Sequence, residues 1–319
     1  MKVGLVGTGY AAKRRAEALQ GDQRAELFAV SGHTTDATAA FCQTYSVSSF
    51  EDWEQLVQSP QIDLVIIATV NKNHGAIARA ALEAGKHVVV EYPLSLNLTE
   101  AEEIIHLAEK SGKLLHVEHM ELLGGLHQAI RQFLPEIGNV FFARYTTINS
   151  QRPALRRWIY NHDLYGFPLT GALSRIHRFT DLFGTVTSVS CQSRFWEIPE
   201  TNYYRACLCN AQLRFQNGVI GSITYGKGDT FCRSVRTFEL LGDKGDLIFE
   251  GERGMLVRGE EKTPIEVASR RGLFAKDTTM VLDHLLEGKP LYVSPHGSYS
   301  ALKVADAARQ SGKGGYDSL

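Results

Sequence analysis

Residues 2–12 read Lys2-Val3-Gly4-Leu5-Val6-Gly7-Thr8-Gly9-Tyr10-Ala11-Ala12, and this stretch decides the fold. Lys2 to Val6 is a short apolar run of the kind that forms a strand buried on both faces of a parallel sheet. It ends in Gly-x-Gly-x-x-Ala and opens directly into a helical stretch from about Ala11 to Leu19. A glycine fingerprint alone is a weak signal, but one between a strand and a helix has the context it needs. There Gly7 makes the tight turn and Gly9 lets the backbone approach a pyrophosphate at the positive end of the helix. Ala12 allows the helix to pack closely on the strand. Gly7, Thr8, Gly9, Tyr10 and Ala11 are therefore candidate contacts for a dinucleotide.

The pattern continues outward from this unit. Leu27 to Val30 reads as a strand, Ala37 to Tyr45 as a helix, and Ile62 to Val70 as the strongest buried-strand signal in the chain. A helix from His74 to Ala84 closes on Gly85. His87 to Glu91 is a further strand, Asn97 opens a helix through about Lys110, and Leu114 to Val117 is a strand. Strands alternating with helices give a doubly wound parallel sheet. After about residue 120 the texture changes. A helix from Leu122 to Phe133 precedes strands at Val140–Ile148, Val186–Trp196, Arg205–Phe215, Val219–Gly226, Arg236–Gly242 and Gly245–Glu250. Gln216-Asn217-Gly218 and Gly242-Asp243-Lys244-Gly245 have hairpin-turn chemistry. A helix from Leu169 to Leu182 is inserted among these strands, and Thr278–Leu286 and Ser298–Gln310 are late helices. The expected fold is α/β: an N-terminal Rossmann domain over 1–120, then a C-terminal α+β domain over 121–319 with a large, mostly antiparallel sheet. The last helix, about 298–310, is expected to pack back on the first domain, and the polar tail from Ser311 to Leu319 to fray.

With 44% hydrophobic and 22% charged residues, the chain of 319 has the composition of a soluble globular protein. Its formal net charge of −1 provides no overall field for nucleic acid or an anionic membrane. No run of about 18 apolar residues suggests a span, and Met1 leads straight into a strand without a signal-peptide pattern, so a cytoplasmic protein is expected. Cys42, Cys191, Cys207, Cys209 and Cys232 read as reduced thiols. Cys207 and Cys209 share a strand face without forming a metal quartet. His116 and His119 lack further ligands at usable spacing, and no metal is expected. The sequence leaves the number of subunits open.

The end of the second strand bears on cofactor choice. NAD sites usually place an acid there for the ribose 2′-hydroxyl. This chain has Ser31-Gly32-His33-Thr34-Thr35, and its first acid is Asp36. A carboxylate would repel a 2′-phosphate, whereas hydroxyls, backbone amides and a nearby cation accept one. Lys13, Arg14 and Arg15 follow the fingerprint and offer that cation, with at least one of them left for the solvated helix face. NADPH is therefore expected in preference to NADH, with Ser31, Gly32 and His33 on its adenosine side.

Three further segments carry a family resemblance: Ala68-Thr69-Val70-Asn71-Lys72-Asn73-His74, Gly85-Lys86-His87-Val88-Val89-Val90-Glu91-Tyr92-Pro93, and the helix preceded by Thr170-Gly171-Ala172-Leu173. With the glycine fingerprint, this ordered set resembles the glucose–fructose oxidoreductase/inositol dehydrogenase family over nearly the whole chain. The resemblance implies that Thr69, Asn71, His74 and Glu91 line the nicotinamide and its ribose. The sugar dehydrogenases of that family carry Glu-Lys-Pro where this chain has Glu91-Tyr92-Pro93. They also carry an Asp and a His four apart on the inserted helix, with a second Asp three residues after the His. Counting back from Asp181, those two positions hold Ser174 and Arg178 here. Without the Lys, Asp and His, a sugar hydroxyl has no evident base.

Glu91-Tyr92-Pro93 instead resembles the pattern of the biliverdin reductases within that family. Leu115 to Gly125, Leu173 to Gly184 and Ser269 to Phe274 resemble the cyanobacterial branch. The resemblance implies NADPH-dependent reduction of biliverdin at its central methine bridge, with a pyrrole nitrogen protonated, to give bilirubin. Such a pigment needs apolar or aromatic walls, cations for two propionates, and a proton. Arg175 and Arg178, three apart on the inserted helix, supply guanidinium forks that bind carboxylates bidentately and stack on flat π systems. The bland alternative is that either one pairs with a structural acid. Arg175 is the first choice at the reacting centre. A guanidinium with a pKa above about 12 gives up its proton reluctantly, so a shared proton or relayed water is expected beside it. Tyr92 and His74 are the other catalytic candidates, and His119 and His127 join the two arginines as substrate contacts. Packing for Tyr92, and a satisfied helix position for His127, are the alternatives. Arg152, Arg156 and Arg157 near Trp158 and Tyr160 read equally as a basic, aromatic rim for an acidic pigment or as a solvated loop or partner surface. Two other functions stay open on the sequence: an NADP-dependent oxidoreductase of an aldose, aldehyde or imine, and a dinucleotide sensor without turnover.

Overall fold

The computed structural model describes residues 1–153 and 157–312. Arg156 and the end of the expected tail, 313–319, lie outside the described residues. The chain divides into two compact units, one of Met1–Met120 with Arg271–Tyr299, the other of Glu121–Arg270 with the chain from Ser300 onward.

The first unit is built on a six-stranded sheet: β1 (Lys2–Val6), β2 (Glu26–Ser31), β3 (Ser48–Ser49), β4 (Leu64–Ile67), β5 (His87–Val90) and β6 (Leu115–Val117). Its order is β3-β2-β1-β4-β5-β6, and every pairing is parallel. The apolar runs of β1, β4 and β5 are buried on both sides, as helix-covered parallel strands must be. The helices are α1 (Tyr10–Gln20), α2 (Thr35–Tyr45), α3 (Trp53–Gln58), α4 (His74–Glu83) and α5 (Leu98–Ser111). The run read as one strand from Ile62 to Val70 pairs only over Leu64–Ile67. Ala68 still donates to Val6 O at 2.8 Å, and the chain then turns into a 3-10 segment at Asn71–Asn73. Apolar character outlasts the ladder there because the turn is itself packed. The short β3 and α3 were not expected, although Asp52 caps α3 by accepting from Gln55 N.

The second unit begins with a 3-10 turn at Met120–Leu122, whose first residue belongs to the first unit, and α6 (Gly125–Phe133). The expected helix from Leu122 thus starts three residues late. Gly125 lies so close to Ala268 that a Cβ would be 2.1 Å from its carbonyl oxygen. An eight-stranded sheet follows: β7 (Val140–Ser150), β8 (Val186–Glu197), β9 (Tyr204–Phe215), β10 (Ile220–Gly228), β11 (Val235–Gly242), β12 (Gly245–Glu250), β13 (Arg253–Arg258) and β14 (Glu261–Glu266). Its order is β14-β13-β12-β11-β7-β10-β9-β8, with only the β7–β10 pair parallel. Between β7 and β8 lie α7 (His162–Tyr165), α8 (Pro168–Gly171) and α9 (Ser174–Phe183). The single helix expected over Leu169–Leu182 is therefore two. Ala172 leaves helical geometry, and Gly171 is pressed against the Tyr165 ring, 2.3 Å from an added Cβ.

The late helices are α10 (Leu273–Glu287) and α11 (Pro295–Ser311). In the first unit α10 packs along α1, with Arg24 of the α1–β2 loop donating to Asp283 at 2.6 Å. No helix among the described residues is long and apolar enough to cross a membrane.

Candidate active site

Gly7 has φ +120°, and a Cβ there would meet Ala68 O at 2.2 Å, so only glycine fits this turn. Gly9 differs: nothing lies within 4 Å of its would-be Cβ. It is the N-cap of α1, which has no side-chain cap and no acid in its first turn. The helix thus presents unsatisfied N–H groups and positive potential to open space, which fits a pyrophosphate. Thr8 borders this space and Tyr10 is 73% exposed beside it. Ala11, on the same turn, is partly buried. Ser31 is buried, its carbonyl accepting from Gly7 N at 2.8 Å. Gly32 is pinned between Thr8 and Thr38, and His33 is exposed.

Of the three cations near this end, Lys13 and Arg14 are exposed, and Arg14 pairs with Glu17 at 2.8 Å. Arg15 is fully buried and ion-paired with Asp277 and Glu91, so it is not a partner for a 2′-phosphate. Burial alone would destabilise its charge, but the two carboxylates outweigh burial and raise its pKa. Asp277 also accepts from Tyr292 Oη at 2.6 Å and contacts His116 Nε2 at 2.8 Å. Burial opposes its ionisation too, and Arg15 and His116 hold the carboxyl well below the usual range. The sequence carried no signal for this network, whose members come from α1, the end of β5, β6, α10 and the segment after α10.

On the nicotinamide side, Thr69 is partly exposed and Asn71 is buried. His74 is buried with Nδ1 2.8 Å from Pro93 O and Nε2 3.2 Å from Thr69 O. Burial lowers its pKa against the pull of both carbonyls, and a ring with a single N–H donates to only one of the two. Tyr92 stacks on His119 at 5.2 Å between centroids. His119 is fully buried and reaches Ser298 Oγ at 2.8 Å, while its backbone N–H donates to Tyr292 Oη at 3.1 Å. Glu118, next along the chain, was not singled out from sequence. Burial, Glu91 and Asp277 raise its pKa well above the ordinary carboxylate value, against the pull of Arg15.

In the second unit, directly opposed residues on neighbouring strands point to the same face. The register puts Tyr145 and Thr147 of β7, Tyr225 and Lys227 of β10, Cys207 and Cys209 of β9, and Arg236 and Phe238 of β11 on one face. Helix α9 covers it, Phe179 packing on Phe238 at 5.4 Å. Arg175 Nε lies 3.4 Å from Thr147 Oγ1, Nη1 donates to Ser174 Oγ at 2.9 Å, and the guanidinium lies 5.4 Å from the Tyr225 ring centre. Arg178 is 1% exposed and stands 5.7 Å from the Tyr145 ring centre. Its Nη2 reaches Glu121 at 3.4 Å, while Nε and Nη1 find no well-aligned acceptor among the described residues. Burial lowers its pKa to about 10, so it stays charged near neutrality. Glu121 also takes Arg236 at 3.7 Å and Arg270, so cations outnumber acids here. His127 is tied to Asp181 at 2.8 Å, joining α6 to α9. Arg152 Nε donates to Asp229 O at 2.9 Å. Lys227, Tyr145 and Arg236 went unnoticed in the sequence, because only strand register brings them under α9.

The descriptions "oxidoreductase family, NAD-binding Rossmann fold" and "oxidoreductase family, C-terminal alpha/beta domain" match residues 1–119 and 134–316. A crystal structure of biliverdin reductase in complex with biliverdin and NADP+ from Synechocystis sp. PCC 6803 is 55% identical, with a TM-score of 0.96, over 97% of this chain and 98% of that one. Human biliverdin reductase A is 30% identical over 156 residues, which span 49% of either chain. Myo-inositol 2-dehydrogenase of Thermotoga maritima is 23% identical over 98% of this chain and 96% of its own.

Proposed function

The chain belongs to the Gfo/Idh/MocA oxidoreductase family, and we propose that within it the protein is an NADPH-dependent biliverdin reductase of the cytosol. The observation that carries this reading is the face under α9. Where a sugar dehydrogenase needs a base, this chain presents Arg175 and Arg178 above tyrosines, with Glu121 shared among three guanidinium groups. That surface suits a flat, conjugated dianion, and it places Arg178 where the sugar dehydrogenases carry their His.

Bound NADPH supplies the hydride for the central methine carbon of biliverdin. Gly7, Thr8, Gly9, Tyr10 and Ala11 hold its pyrophosphate at the α1 N-terminus. Ser31, Gly32 and His33 flank the adenosine ribose, with Lys13 and Arg14 the cations for the 2′-phosphate. Thr69, Asn71, His74, Glu91 and Tyr92 border the nicotinamide. There Arg15 is outnumbered by Asp277 and Glu91, and the resulting negative potential favours the oxidised, cationic ring. Tyr92 is held flat on His119 with its hydroxyl as a hydrogen-bond donor, and His74 lies between the carbonyls of Pro93 and Thr69. Arg175 takes a propionate and aligns the bilin, and Arg178 beneath it adds fixed positive charge. Neither guanidinium is the source of the pyrrole proton, because neither releases one readily near neutrality.

An anaerobic absorbance assay with NADPH, with NADH and with Arg175→Ala tests this. Loss of the biliverdin band with growth of a bilirubin band, faster with NADPH, is expected. Arg175→Ala should lower kcat on the order of 100-fold while pigment still binds. Protein that binds NADPH but leaves biliverdin unchanged would refute the reading.

A further inference from the structure

Reduction of the bilin consumes a proton as well as a hydride, and the face under α9 carries a phenol, Tyr145, set among three arginines. Tyr145 and Thr147 lie two apart on β7 and so share a face. Helix α9 sets Arg178 above Tyr145, 5.7 Å from the ring centre, and Arg175 against Thr147 at 3.4 Å. Arg236 of β11 is paired across the ladder with Thr147, and Phe238 with Tyr145, the two rings 4.9 Å apart. On the other side Ile223 of β10 is its neighbour. The charged groups around the phenol are thus Arg175 and Arg178 from α9 and Arg236 from β11. Glu121, from the turn before α6, is held by Arg178, Arg236 and Arg270.

Other buried tyrosines of this unit are ordinary by contrast. Burial pushes Tyr160 up to about 12, and Tyr165 and Tyr204 also rise. At Tyr145 burial acts in the same direction, yet Arg178, Arg175 and Arg236 outweigh it and hold the phenol below its usual range.

We propose that Tyr145 is the acid that protonates the pyrrole nitrogen, its phenolate stabilised by Arg178, Arg175 and Arg236. The inference rests on biliverdin being the substrate. The cofactor's hydride forms the new C–H bond at the methine carbon, and the displaced electron pair moves to the pyrrole nitrogen. The Tyr145 O–H bond breaks and the N–H bond forms. The bilin gains two electrons, the nicotinamide loses them, and the phenolate regains its proton from water. Arg175 and Arg178 then act on the phenol as well as on the propionate, and the three arginines replace the acid–base pair of the sugar enzymes with an acid whose conjugate base is held by fixed charge.

Tyr145→Phe and site-specific 3-fluorotyrosine at 145 test the assignment by steady-state kinetics against pH. Phenolate absorbance is titrated in parallel without pigment. Tyr145→Phe should lose kcat on the order of 100-fold or more, with KM for biliverdin little changed. The alkaline fall of kcat, where the phenol loses its proton, should vanish with it. Fluorotyrosine, nearly isosteric and more acidic, should keep the fold and move that fall to lower pH. The wild-type minus Tyr145→Phe titration should show one phenol ionising below the usual tyrosine range. Unchanged kcat in Tyr145→Phe, an alkaline limb that fluorotyrosine does not move, or no early-ionising phenol would overturn the inference alone. Wild-type protein that leaves biliverdin unreduced would overturn the proposed function and this step with it.

Discussion

Lys227 offers a test of the second unit that requires no ligand. Its amine is buried, 3.4 Å from the Tyr165 ring centre and within 5.1, 5.5 and 6.0 Å of those of Tyr160, Tyr204 and Tyr225, and it donates to Ile159 O. Burial lowers its pKa from 10.5 to about 7; the nearby thiols of Cys207 and Cys209 oppose this, and Arg175 adds to it. At about 1.4 kcal/mol per pKa unit, a fully charged Lys227 costs up to ~5 kcal/mol, an upper limit because ring contacts worth about 0.5–2 kcal/mol offset part of it. Between the folded and unfolded pKa values the unfolded chain binds more protons, so stability rises with pH across that window. Lys227→Met keeps the apolar stem and removes the charge. It should be more stable than wild type near neutrality, and wild type should recover about 1–2 kcal/mol of the difference between about pH 7 and about pH 9. Denaturant unfolding at several pH values measures this. A difference that stays flat over that range would show that Lys227 keeps its ordinary titration, and the account of the tyrosine cage would be wrong.

Asp277→Asn leaves Glu91 as the remaining carboxylate paired with the fully buried Arg15, and unfolding should show a loss of about 3 kcal/mol. Gly9→Val places its side chain in space that nothing in the protein fills. Fluorescence titration should therefore show NADPH binding weakened by more than about tenfold, with the unfolding midpoint nearly unchanged, because the added volume competes with the pyrophosphate rather than with the core.

The first unit was legible because its signals are local. An apolar run, a glycine turn and a helix follow within a dozen residues, and Asn97 caps α5 by accepting from Glu100 N just where the sequence opens that helix. Where tertiary contacts override local pattern, the sequence misled. Gly171 and Gly125 yield to Tyr165 and Ala268, so one helix breaks and another starts late. β14 carries so many charged, exposed residues that no alternation marks it, and the alternation of β13 runs for only six residues. At the proposed site the sequence shows Tyr92 and Arg178 where the family resemblance puts Lys and His. The partners were not legible. Arg15 meets Asp277 across 262 residues. Tyr145 meets Arg236 only because β7 and β11 pair in one particular register.

The two units bury charge in opposite ways. In the first, the fully buried Arg15 is met by two carboxylates, Asp277 and Glu91. In the second, Arg178 is equally buried but touches Glu121 only at 3.4 Å, and Glu121 is shared with Arg236 and Arg270. Lys227, farther along the same face, has thiols rather than a carboxylate favouring its charge. A buried cation with an incomplete partner is costly to a fold, and such groups cluster where a ligand or a reaction compensates for them. Under the proposed function, the carboxylates of an anionic pigment would supply that compensation to the arginines. The imbalance under α9 is therefore what a site for a dicarboxylic acceptor requires, and a sugar, which brings no charge, would leave it uncorrected.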